Sequence, residues 1–155
     1  MSNSTSRSFI FSAEVHHLLV EAGWHQSRTV ELSHCQVPVS TVAGWPPVVQ
    51  AFLKEFGCLM LYFIRRDDSI AYLHFDVARA HQNAATGYSL ADYAFRAGEL
   101  ALYIIGQAYT ENLLLLMSAS GQVYGGYEDC LYAIAGNGET AIEAICLDLP
   151  FREIP

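Results

Sequence analysis

The residues best able to do chemistry are few and scattered. Gly136-Asn137-Gly138-Glu139-Thr140-Ala141 has the G-x-G-x-x-A form that lets a pyrophosphate approach the backbone at a helix N-terminus. A dinucleotide site also needs a second strand with an acid about 20 residues further on. No such strand is read between this motif and Pro155, so the six residues are taken as a glycine turn that starts a helix. Cys58 beside a histidine base would make a thiol nucleophile if the two touched. His74 is placed at the end of a tight hairpin away from Cys58. The pairs His16-His17 and His34-Cys35 are adjacent, and adjacent side chains diverge, whereas zinc ligands come at spacings of about two to five residues. Glu139 and Glu143 stand four apart on one helix, a spacing that can split two carboxylate pKa values for acid–base work. The plainer account is that Glu139 complements the helix N-terminus while Glu143 faces solvent. No catalytic, metal-binding or cofactor-binding constellation is predicted.

The elements that must carry these residues follow from apolar spacing. Ser12 caps a helix with Val15, Leu18, Leu19 and Ala22 on one face, stopped by Gly23. Pro46-Pro47 opens a second helix, with Val49, Phe52, Leu53 and Phe56 as its stripe and Gly57 at its end. Residues 59–64 and 70–75 flank the polar turn 65–69 and read as a hairpin. Asp76 starts a short turn through Ala80, and residues 89–97 form a short helix ending at Gly98. Three strands follow at 100–105, 113–117 and 122–127, with a last one at 131–135. The 113–117 run is apolar on both faces, as a central strand requires. Ile142, Ile145, Cys146 and Leu149 share one face of a closing helix that Pro150 terminates. The expected fold is α+β, one domain over residues 1–155 with a loose start at 1–8. Its antiparallel or mixed sheet has five to six strands, with helices at the N-terminus, middle and C-terminus.

Composition narrows the partners. The 155 residues carry a net charge of −8, and Lys54 is the sole lysine. Nucleic acid is excluded on that balance, because phosphate contacts need clustered Lys and Arg. Residues 121–155 hold six acids against Arg152, a net −5, while the first 120 hold ten acids against seven bases, a net −3. The longest aliphatic run, 113–117, is far short of the roughly 20 residues a membrane span needs. The start lacks a charged segment followed by a sustained apolar run, so cytoplasmic residence and reduced cysteines are expected. Asp67 and Asp68 on the hairpin turn, with Glu128, Asp129, Glu139 and Glu143, are the acids expected to meet a partner. Trp45, Tyr124 and Tyr127 either anchor that partner or complete the core.

The ordered short motifs resemble the SUKH superfamily of bacterial toxin-immunity proteins, and within it the third subfamily. The matching residues are Leu19-Val20-Glu21-Ala22-Gly23-Trp24 with Arg28, then Phe52-Leu53-Lys54-Glu55-Phe56-Gly57. Phe75-Asp76, Leu102-Tyr103-Ile104-Ile105-Gly106, Gly121-Gln122-Val123-Tyr124 and Glu139-Thr140-Ala141-Ile142 complete them, across 11–149. Members usually have glycine where Ser27 and Cys58 stand and proline where Val77 and Ile104 stand. The resemblance implies an α+β domain without enzymatic activity. It implies a protein that binds and neutralises a cognate toxin, often a nuclease or another nucleic-acid-modifying enzyme. It transfers no recognition residues. A pocket near Cys58 and His74 serving a small ligand, and a recruiting scaffold without inhibition, are the competing expectations.

Overall fold

The computed structural model describes residues 9–32, 44–84 and 89–155. Helix α1 spans Ala13–Glu21 and starts where the Ser12 hydroxyl accepts the Val15 N–H at 3.3 Å, as a cap should. Helix α2, Pro47–Phe56, buries Val49, Phe52, Leu53 and Phe56, the stripe that the 3.6-residue period predicts. Strands β1 (Met60–Ile64) and β2 (Ile70–His74) form the hairpin, closed by Arg65 N–H to the Ser69 carbonyl at 2.8 Å. Helix α3 runs over Val77–Ala84, a full turn beyond the turn expected to stop at Ala80. The Asp76 carboxylate caps it by accepting the Arg79 N–H at 3.1 Å. Helix α4, Leu90–Ala97, is capped by Ser89 and stopped by Gly98 in the left-handed region at φ 74.

A meander follows: β3 (Tyr103–Ala108), β4 (Leu113–Met117), β5 (Val123–Tyr127) and β6 (Cys130–Ala135). Helix α5, Gly138–Cys146, begins where Asn137 accepts the Thr140 N–H at 2.8 Å, so the glycine motif is a helix start, as expected. One strand more than the sequence predicts comes last, β7 (Arg152–Ile154). It pairs antiparallel with β6, whereas a dinucleotide fold would need a parallel neighbour. The seven strands stand in chain order with every pairing antiparallel.

Helices cover both faces of this sheet. On one face α1, α2 and α5 bury Val15, Leu19, Phe56, Ile142 and Ile145 against the strands. On the other, Ala80 of α3 and Tyr93 and Ala94 of α4 close a second core. The β4 run serves both, with Leu113, Leu115 and Met117 in the first core and Leu114 and Leu116 in the second. That is why it shows no alternation in sequence.

Two expectations about cysteine and histidine change. Cys58 is disulfide-bonded, while Cys130 and Cys146 are free thiols. Compartment reasoning expects reduced thiols throughout, but pairing depends on which sulfurs the fold brings within bonding distance. The hairpin register pairs His74 with Met60, so His74 lies at the Cys58 end, not the far end. Antiparallel pairing around the 65–69 turn dictates this, since residues equidistant from the turn face each other.

Candidate functional site

Strand parity gathers residues that the sequence separates. In a meander, alternate turns share one end of the sheet, so turns 65–69, 109–112 and 128–129 lie together. Asp67, Asp68, Tyr127, Glu128 and Asp129 are thereby placed at that one end. Glu111 joins them from the middle turn, and Asp148, just past α5, arrives there too. The Arg66 N–H donates to Asp148 Oδ2 at 3.0 Å, which ties the end of α5 to the hairpin turn. Neither Glu111 nor Asp148 is among the acids expected from sequence. The end carries these six acids against Arg65, Arg66, Arg79 and Arg96, a net −2.

The turns are held stiffly by residues behind them. Asp67 accepts the Ser69 hydroxyl and the Ser69 N–H, and the hydroxyl bond chiefly holds its carboxyl below the usual range. The Tyr93 hydroxyl, from a buried ring on α4, donates to the Glu128 carbonyl. Arg96 Nη1 donates to the Asp129 carbonyl at 2.8 Å. The backbone of the 128–129 turn is thus fixed while both carboxylates face solvent. Tyr109, Thr110 and Glu111 are three successive left-handed residues, at φ 53, 59 and 71. Such strain persists only where surroundings enforce it. Here the Thr110 N–H binds the Tyr72 carbonyl at 3.2 Å and Glu111 pairs with Arg79.

Between these turns, on the α5 side, lies a groove of about 530 Å³. Its walls include Arg65, Arg66, Tyr109, Tyr127, Tyr132 and Asp148. The Arg65 guanidinium lies 4.5 Å from the Tyr109 ring centroid and 3.4 Å from Asp148 Oδ1. Burial pushes the Tyr109 hydroxyl well above the ordinary phenol range, so it stays protonated. Tyr127, 43% exposed, stands on the rim.

The remaining expected partner residues lie elsewhere. Glu139 is in the first turn of α5, at the opposite end of the sheet, and Glu143 accepts the Ser12 N–H, pinning the start of α1. Tyr124 is buried in the α4-side core. Its hydroxyl lies 2.9 Å from Glu99 Oε1 and 2.7 Å from Gln122 Oε1, and burial raises it to about 12. Trp45 packs on Tyr103 with centroids 5.4 Å apart. His74 is buried, with Nδ1 accepting the Asp76 N–H at 3.0 Å. Its proton therefore sits on Nε2, which donates to Gln107 Oε1 at 2.9 Å. Cys58, with its sulfur in a disulfide, presents no thiolate to that imidazole.

The fold is an α+β module: one antiparallel sheet with helices on both faces, and turns that present a charged, tyrosine-bearing end. The family model described as SUKH-3 immunity protein matches residues 11–148, and the chain belongs to that family. Comparison with curated proteins gives no match, and neither does comparison with solved structures. Membership gives the chain the role of a bacterial immunity protein. Among the described residues no helix is long and apolar enough to cross a membrane.

Proposed function

We propose that this chain is a cytoplasmic inhibitor that neutralises one cognate bacterial toxin by covering its active surface. The toxin is a nuclease or another nucleic-acid-modifying enzyme with a basic face, and the inhibitor acts by contact, without catalysis of its own. The observation that carries this reading is the gathering of Asp67, Asp68, Glu111, Glu128, Asp129 and Asp148 on rigid turns at one end. A preformed acidic surface speeds encounter with a basic partner and sets its register. Tyr127 among those acids supplies an aromatic anchor of the kind that dominates interface energies.

Co-expression with the toxin encoded beside this chain tests the proposal. Growth should be rescued, and the two proteins should co-purify. Complex formation without rescue would instead make the chain a recruiting scaffold. Failure of rescue and binding with every adjacent candidate overturns the immunity role.

A further inference from the structure

The groove offers more hydrogen-bond donors than its walls use. Arg66 is exposed, and its guanidinium has no hydrogen bond or ion pair among the described residues. Arg65 is already stacked on Tyr109 and paired with Asp148, and its Nε is buried, so the free cation of the groove is Arg66 among the described residues. The Asn112 amide and the Tyr127 hydroxyl, both on the walls, also make no side-chain hydrogen bond among the described residues. Among the described residues the one carboxylate in the lining is Asp148, and both its oxygens are engaged, Oδ1 by Arg65 and Oδ2 by the Arg66 N–H. Within a net acidic end, the groove itself is therefore locally cationic. Its remaining walls, Tyr109, Tyr132, Leu149 and Phe151, are apolar or aromatic.

Donors converging between apolar walls define a site for a carboxylate on an apolar body. The geometry points to a specificity pocket for an acidic side chain of the partner, an Asp or Glu flanked by an apolar residue, held by Arg66 and Tyr127. Its identification as a partner pocket rests on the immunity reading, whereas the carboxylate preference does not. A rim that attracts bases around a centre that accepts an acid also explains how one toxin is told from another. A uniformly basic surface would leave Arg65 and Arg66 facing like charge, which costs affinity.

The first test needs no toxin. Amide chemical shifts of the full chain are followed by NMR during titration with 3-phenylpropionate, its neutral amide and 3-phenylpropylamine. The acid should shift Arg66, Asn112 and Tyr127 and bind about tenfold tighter than the other two, as a charged hydrogen bond provides. Arg66→Gln, at an exposed side chain, should erase that preference without affecting the fold. Equal binding of the three probes, tightest binding of the amine, no shift with any probe, or an unaltered Arg66→Gln variant would overturn the pocket. The second test pairs Arg66→Gln with alanine substitutions at each acid on the toxin face. One acid should couple to Arg66 by about tenfold or more in affinity. If wild type rescues and binds yet no acid couples, the partner assignment falls while immunity stands. If wild type binds no toxin, the immunity role falls with the partner assignment, and the probe titration still decides whether the groove takes a carboxylate.

Discussion

At the scale of single residues, His74 shows how context decides what a titratable group does. On its strand it alternates with the apolar Ala71, Leu73 and Phe75, yet it is 1% exposed, with its ring bonded to Gln107 Oε1, which also accepts from the Asn83 amide. Burial chiefly lowers its pKa below 6.5, opposed by the Gln107 hydrogen bond. A depressed histidine pKa means the unfolded chain binds the proton more readily. The stability it contributes is therefore complete above about pH 6.5 and is lost as pH falls through the lower folded value. The melting temperature should drop between pH 7 and pH 5.5, and His74→Gln should flatten that drop in calorimetry. His81, also lowered by burial, leaves a residual slope of the same sign. Equal slopes in the two proteins would show that His74 is not the cause. Cys58 is the other instructive residue. Helix α2 ends at Gly57 with φ −56, and the left-handed turn falls on Cys58 at φ 66. This is the position where the family usually has glycine, which adopts such a turn at no steric cost.

Among elements, the ordered motifs turn out to grip one another. Trp24 Nε1 donates to Glu55 Oε2 at 3.0 Å, and Arg28 donates to the Glu55 carbonyl and, at 2.8 Å, to the Gly57 carbonyl. Arg28 thereby satisfies acceptors that the end of α2 would otherwise leave open. Arg28→Ala should cost about 1–3 kcal/mol in urea unfolding. Arg28→Lys should recover less than half, since one ammonium cannot replace the guanidinium fork. A loss within error for Arg28→Ala would dismiss the clasp. Gly106 lies at the β3 bulge, where a Cβ would stand 2.0 Å from the His74 carbonyl oxygen. Backbone lies on both sides of that contact, so no rotamer change relieves it. Gly106→Ala should destabilise by roughly 1–3 kcal/mol or more, and an unchanged urea midpoint would refute the close approach.

For the whole molecule, the issue is where the charge sits, not how much there is. Reversing Glu128 and Asp129 to lysine takes the turn end from −2 to +2. Association with the toxin should slow about 10- to 100-fold at low salt, with the difference shrinking as salt rises. Glu139→Lys, at the opposite end of the sheet, should leave the rate within about twofold by stopped flow. Equal slowing by both changes would mean that net charge, and not this surface, steers the encounter.

The stripes of α1 and α2, the hairpin and the both-faced β4 run were readable because each rests on local periodicity and on neighbours along the chain. Leu149, expected on the closing helix, lies beyond its end at Cys146 and is exposed. Family membership was readable from the order of short motifs. The seventh strand was not, since Arg152-Glu153-Ile154 has no apolar alternation. It forms because β6 offers an edge, while Arg96 Nη2 binds the Ile154 carbonyl at 3.0 Å. The groove was equally hidden, although Tyr127 and the acids of two turns stand out singly in the sequence. Arg65, Tyr109, Tyr132 and Asp148 come from segments up to 83 residues apart. Sequence alone determined which residues could form helices and strands and that the chain is acidic. Tertiary structure decided which charges meet, because only the pairing of consecutive antiparallel strands brings alternate turns to the same end.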